Sequence, residues 1–265
     1  MRDNIKEIVR IASRSFRFPE PVVEVGSFQV AGQEGYADLR GYFPNQRYIG
    51  CDMREGAGVD QLEDIEKGLS FEDGSVGAVV SCDTLEHVFD VFRFMEETNR
   101  VLMRGGYALH VSLMCHPIHN HPHDYWRFTP ECFRRLLEKI GEPLILAQGA
   151  PNFPHTVIGI VRKGEPLPRT ERERFMEAMD ELSSQCDTME LDVPSHLKRS
   201  LLALGYHEEA YTRLLAGRHR DARESSKRAI RLCPLHLKSY VYWLFTFFPH
   251  SVYAAVRRVK KALWP

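Results

Sequence analysis

The chain has 265 residues, 43% of them hydrophobic and 27% charged, with 35 Lys+Arg against 36 Asp+Glu. That length allows one full α/β domain plus a smaller unit, and the composition excludes a disordered, collagen-like or low-complexity protein. The net charge of −1 hides a split: residues 1–195 carry 21 basic and 32 acidic side chains, residues 196–265 carry 14 and 4. Parts of opposite sign are expected to meet different partners, or each other.

Residues 3–15 show an amphipathic stripe (Ile5, Ile8, Val9, Ala12) and predict a helix, broken by Phe18-Pro19-Glu20-Pro21. Short apolar runs then follow as candidate buried strands. They are residues 21–26 ending in Gly26, residues 48–52 ending in Asp52, residues 76–83 ending in Asp83, and residues 107–113 entered through Gly105-Gly106. A helix with apolar positions Val88, Phe92, Met95, Val101 and Leu102 is expected between the last two. Thr129-Pro130 starts another, to about Ile140. Residues 144–147 and 156–161 predict an antiparallel edge pair, and residues 163–170 a linker. Strands separated by helices predict a Rossmann-like, mostly parallel α/β sheet, with its ligand at the carboxyl ends of the strands. The residues to weigh are therefore Glu24 and Gly26, Asp52, and Asp83.

Gly26 allows close approach of a ligand to the backbone, and an acid closing the second strand is placed for ribose hydroxyls. Phe28 and Ala31 stand where a dinucleotide fold needs glycine, which argues against NAD. A ligand with ribose and adenine but no phosphate cradle fits better. The six cysteines have no CxxC spacing and predict reduced thiols rather than a zinc site.

Five ordered segments carry a family resemblance. They are Val22-Val23-Glu24-Val25-Gly26-Ser27, Tyr48-Ile49-Gly50-Cys51-Asp52-Met53, Leu69 to Val76, Cys82-Asp83-Thr84-Leu85-Glu86-His87-Val88, and Asn99 to Gly106. Together they resemble the class I S-adenosylmethionine-dependent methyltransferases of the methyltransferase-11-like group, across roughly residues 20–162. The family's usual Gly-x-Gly-x-Gly keeps only Gly26, with Gly32 and Gly35 as substitutes in the loop. The resemblance implies S-adenosyl-L-methionine as cofactor. It places Glu24 and Gly26 along the methionine moiety, Asp52 on the ribose and Met53 on the adenine, and counts Ser27 among the cofactor-binding residues. It sets Asp64 and Ile65 at the adenine amino edge, and Asp83 with Leu85 at the methionine end.

Residues 115–130, CHPIHNHPHDYWRFTP, are the densest chemistry in the chain. Three readings stand: an aromatic lid of Tyr125, Trp126 and Phe128; a general base from His121, His123 or Asp124, with His87 as a further candidate; and a metal site, which no helical ligand spacing supports. The expected assignment is His87, His123 and Asp124 as catalytic residues, with no metal.

From about residue 171 the pattern is helical. Residues 217–234 resemble the second half of a tetratricopeptide repeat, and residues 240–265 are aromatic, then basic. The expected domains are 1–165 for cofactor binding, 166–195 as linker and helix, and 196–265 as a basic helical region. The expected partners are a small-molecule or glycan acceptor and no nucleic acid, with peripheral membrane or homodimer contact through residues 240–265. No stretch is apolar enough to span a membrane and the N-terminus lacks an apolar signal core, so the expected location is the cytoplasm or the inner membrane surface. The expected activity is O-methylation in bacterial polysaccharide or secondary metabolism. The alternatives are methylation of a quinone-like lipid-soluble ring, or a non-catalytic cofactor-binding scaffold.

Overall fold

The computed structural model describes residues 3–30, 32, 34–116, 118–119, 123–150, 153–185, 195–235, 237–249 and 251–252. Contacts divide the chain into two units, residues 1–147 with 156–187, and residues 148–155 with 188–265.

The first unit opens with α1 (Asp3–Ser15), whose stripe Ile5, Ile8, Val9 and Ala12 is buried as its spacing predicts. The sheet strands are β1 (Val22–Val25), β2 (Tyr48–Asp52), β3 (Gln61–Leu62), β4 (Val76–Cys82), β5 (Leu102–Leu113), β6 (Leu144–Ala150) and β7 (Phe153–Arg162). Their order is β3-β2-β1-β4-β5-β7-β6. The first five pair in parallel, and β7 runs antiparallel to β5. This is the Rossmann-like sheet with an antiparallel edge that the strand–helix alternation predicts.

Two-residue periodicity splits the strands between two buried faces. Val23, Val25 and Val79 pack with α2 (Val91–Val101) and α3 (Pro130–Leu137). Val22, Val80, Leu109 and Val111 pack on the other face with α1 and with Phe175 and Met179 of α4 (Arg169–Gln185). Both faces of the central strands are covered, which is why β4 is buried at every position.

Local details depart from the sequence expectation: α3 stops at Leu137 rather than about Ile140, β6 and β7 run longer than residues 144–147 and 156–161, and α2 and β5 differ too. In α2, Phe92 faces solvent and Phe94 takes the core position, because Val91, Phe94, Met95, Thr98 and Val101 share the inward stripe. The fourth strand does not wait for Gly105-Gly106: β5 begins at Leu102, and the pairing with β4 shifts between Val76 and Ala78. The shift needs small residues, since a Cβ on Gly106 would lie 2.8 Å from the Gly77 carbonyl oxygen. Thr129 caps α3 as predicted, its hydroxyl accepting from the Cys132 amide at 3.1 Å.

The second unit contains α5 (Ser195–Leu215), α6 (His219–Leu232) and α7 (Leu237–Phe245). Ala203, Ala210, Ala222 and Ala229 are buried where the first two helices pack, and small side chains there permit close approach. The His207 ring stacks on Tyr242 at 4.5 Å and its Nδ1 meets Ser239 Oγ at 3.2 Å. No described helix is long and apolar enough to cross a membrane. The basic stretch after residue 252 lies outside the described residues, as does Cys186.

Candidate active site

The carboxyl ends of β1, β2, β4 and β5 share one edge of the sheet, and most of the predicted residues lie there. Glu24 is buried in β1, level with Gly50 of β2 and Val80 of β4. Burial pushes its carboxyl up to about 8, against a 2.6 Å hydrogen bond from the Tyr48 hydroxyl that favours ionisation. The same environment pushes the Tyr48 phenol well above its ordinary value. A carboxyl poised near neutrality gains its charge readily when a cation arrives.

Gly26 follows with φ of 89°, its amide donating to the Cys51 carbonyl at 2.8 Å. A Cβ there would lie 2.2 Å from Thr84 Oγ1, so glycine is required both by conformation and by close approach. Gly32 and Gly35 also take positive φ, and the Gly35 amide donates to Gln29 Oε1 at 2.5 Å. The loop is thus closed without the second and third glycines of the usual motif. The Ser27 hydroxyl is buried with no hydrogen-bond partner in the structure, an orphan polar group beside the strand ends.

Asp52 is buried at the end of β2. Its Oδ1 accepts from the Arg54 amide at 2.9 Å and Arg54 Nε at 3.1 Å, while Oδ2 has a 3.4 Å contact from the Phe28 amide. Oδ2 keeps capacity for hydroxyl donors, as a ribose diol requires. Arg54 lies over the Phe28 ring at 4.2 Å, and neither residue carries a motif that announces it. Met53 is 60% exposed and available for stacking.

Asp83 takes φ of 51° after β4, its amide donating to the Val111 carbonyl at 2.9 Å. A non-glycine residue in that region is a local departure of the kind concentrated at functional edges. Ile65 and Leu85 turn their side chains into the core, so any contact from them to a ligand is through the main chain. Asp64 pairs with Lys67 at 2.9 Å and accepts from the Glu66 amide.

Residues 123–128 are laid along the turn after β4. The Glu86 carbonyl accepts from the Tyr125 and Trp126 amides, Trp126 Nε1 donates to the Val88 carbonyl at 2.9 Å, and His87 Nδ1 meets the His123 carbonyl. Tyr125 packs edge-on against Phe89. Phe128 is not part of a lid: it fills the core against Phe133. The His123 ring is exposed and tilted on Tyr125. Asp124 is clamped by both Arg127 nitrogens and by the His119 amide. Burial opposes ionisation of Asp124, but these partners outweigh it and hold the carboxyl down at about 2. So low a proton affinity suits a brace rather than a base. His121 lies outside the described residues.

Sequence reasoning also missed Glu86, a buried carboxylate that accepts from the Ser112 hydroxyl at 2.6 Å. Its only signal was its place between Leu85 and His87.

Residues 34–110 match a methyltransferase domain family, the span that holds Asp52, Asp64, Asp83 and His87. The chain carries an S-adenosylmethionine-dependent methyltransferase domain. The donor set would suit that cofactor: carboxylates at the strand ends offer negative charge for a cationic sulfonium, and Asp52 Oδ2 retains acceptor capacity of the kind a ribose needs. Solved structures similar to the methyltransferase domain include an S-adenosylmethionine-dependent methyltransferase of Aquifex aeolicus, at 14% identity and TM-score 0.43 over 60% of this chain and 94% of that one. Another is the 1,6-didemethyltoxoflavin-N1-methyltransferase of Burkholderia thailandensis with S-adenosylhomocysteine bound, at 15% and 0.45 over 61% and 80%. A third is a Haloferax volcanii protein in complex with the Trm112 methyltransferase activator, at 18% and 0.42 over 62% and 92%. No curated protein matches the chain significantly.

Proposed function

We propose that the domain methylates a hydroxyl oxygen of a small-molecule or glycan acceptor. Glu24, Gly26, Ser27, Asp52, Met53, Asp64, Ile65, Asp83 and Leu85 bind the cofactor, and the loop of residues 115–129 faces the acceptor. The observation that supports this reading best is that two chemistries belong to the carboxyl ends of the strands: acids on β1, β2 and the turn after β4, and, on the loop hydrogen-bonded to that same turn, imidazoles and exposed aromatic rings.

S-adenosylmethionine supplies a methyl group already activated by its sulfonium charge, so the protein's work is alignment, exclusion of water and, for a hydroxyl, removal of a proton. Glu24 and Asp83 supply negative charge toward the methionine end. Asp52 takes the ribose hydroxyls. His123, exposed at the loop, and His87, anchored through Nδ1 on the His123 carbonyl, stand as proton acceptors. Asp124 belongs to the same machinery as the brace that fixes the loop through Arg127. The packed pair α5 and α6 serves, in this reading, as a tetratricopeptide-like module for a partner, and residues 240–265 contact an inner membrane surface or a second copy.

The test is acceptor-dependent formation of S-adenosylhomocysteine, with nucleotide sugars, lipid-linked glycans and quinols as acceptor panels. Turnover on a glycan or sugar supports the proposal. Turnover confined to the quinol identifies the lipid-soluble ring instead, and cofactor binding without turnover on any acceptor leaves the scaffold role.

A further inference from the structure

The acceptor-side loop gathers more ligating chemistry than proton removal requires. Glu86, His87 and His119 each offer one ligand atom, and the three atoms lie within 4.8 Å of one another. Glu86 and His87 come from the turn after β4 and His119 from the loop after β5, so two segments distant in sequence converge on one point. The His87 and His119 rings meet edge-on at 4.9 Å.

What surrounds the three donors is as informative as the donors. His87 Nδ1 meets the His123 carbonyl, and His119 Nδ1 lies 3.2 Å from Asp124 Oδ2. A carbonyl or carboxylate behind Nδ1 is the outer-shell arrangement that fixes the tautomer and heading of a metal-binding imidazole, presenting Nε2 to the ion. Glu86 is in turn held by Ser112, and Asp124 by Arg127. All three donors are therefore oriented by a second residue.

The geometry points to a divalent transition-metal site formed by Glu86, His87 and His119. Two imidazoles and one carboxylate form the protein ligand set of open three-ligand zinc centres and of non-haem iron(II) centres. Such centres leave positions for an oxygen ligand. Tetrahedral ligation at about 2.1 Å sets donor atoms roughly 3.4 Å apart, so with the donors already within 4.8 Å of one another, ion binding requires no pair to close by more than about 1.4 Å. In the open positions the ion would take water or an acceptor hydroxyl and lower the pKa of that oxygen, with the released proton passing to water; with His87 on the ion, the role of proton acceptor falls to His123. Occupancy of the site does not depend on which acceptor is methylated, so metal binding and the acceptor assignment stand or fall separately.

The full chain, stripped of metal with a chelator, is titrated with Zn2+ and then, in a separate sample, with Co2+. The expected result is one equivalent bound per chain, with Co2+ visible bands typical of nitrogen and oxygen ligands and no thiolate charge-transfer band. His87→Ala and His119→Ala each weaken Zn2+ at least tenfold, on the order expected for loss of one ligand, and Asp124→Asn weakens it by about tenfold through the outer shell. S-adenosylhomocysteine binding is retained in His119→Ala, because that ring lies on the acceptor side. Three results overturn the proposal: no stoichiometric Zn2+ binding to the intact protein, a thiolate band in the Co2+ complex, or unchanged Zn2+ affinity in the His87→Ala/His119→Ala double variant. The first two are read on the unmutated chain and do not depend on how any variant folds.

Discussion

The two sides of the site are built differently. On the proposed cofactor side, Glu24 and Asp52 lie at the ends of buried parallel strands, and Gly26 after β1 and Asp83 after β4 turn the chain with positive φ. On the proposed acceptor side, the candidate residues sit on a loop pinned to the turn at residues 86–89 by main-chain hydrogen bonds and the Trp126 indole, and braced by one clamped carboxylate. The difference teaches where each specificity is stored. In the proposed arrangement, a cofactor common to many enzymes is read by the rigid scaffold and the acceptor by a loop that can change without disturbing the sheet.

Substitutions on the two sides should therefore separate cleanly. The largest effect is expected from Gly26→Ala, which combines a positive φ with a Cβ 2.2 Å from Thr84 Oγ1. Strain of this kind amounts to about 2–3 kcal/mol of stability, seen as an earlier denaturant midpoint together with weaker cofactor binding. Arg127→Ala comes next. It leaves the Asp124 carboxylate, 2% exposed, without its main partner; because Arg127 is itself partly exposed, the expected loss is about 1–3 kcal/mol rather than the full value for a buried pair. Turnover should fall while S-adenosylhomocysteine affinity is unchanged. The smallest effect is expected from Trp126→Phe, which removes the bond to the Val88 carbonyl and should destabilise by about 1 kcal/mol. A matching loss of cofactor affinity in either loop variant would break the division.

Acidity sharpens the same contrast. Glu24 has its carboxyl raised to about 8, so it favours the protonated folded state: the associated stability is full below the ordinary carboxylate value near 4.5 and is lost as pH rises through about 8. Affinity for the cationic S-adenosylmethionine should rise over the same upper range, as Glu24 gains its charge, and Glu24→Gln should flatten that rise. Asp124 has the opposite sign. Its carboxyl is held at about 2, so the stability it contributes is present above the ordinary value near 3.8 and is lost as pH falls through about 2. Calorimetry across pH checks the first, and an acid-unfolding curve of Asp124→Asn checks the second.

The sheet was legible in the sequence because buried parallel strands are written as apolar runs closed by Gly26, Asp52 and Asp83, and because α1 carries an apolar stripe and α3 a Thr129 cap that fixes its start. The exchange of Phe92 for Phe94 was not, since both residues fit an apolar pattern and only the packing of α2 on the sheet decides between them. The positions of the candidate cofactor residues could be named because they end strands. The clamp of Asp124 by Arg127, the Ser112–Glu86 bond and the convergence of His119 on His87 could not, because each joins loops whose paths depend on the finished fold. Tyr48 shows the same limit: as a strand residue it looks like core, yet its hydroxyl sets the environment of Glu24.

The most direct test of the central claim is the affinity of the intact protein and of Asp52→Ala for S-adenosylhomocysteine by calorimetry. Loss of hydrogen bonds to a charged acceptor corresponds to about 1.5–3 kcal/mol, or roughly 10- to 100-fold, and Asp52→Ala should weaken binding by that factor while remaining folded. Equal affinity in the folded variant would contradict the placement of the cofactor at the carboxyl ends of these strands.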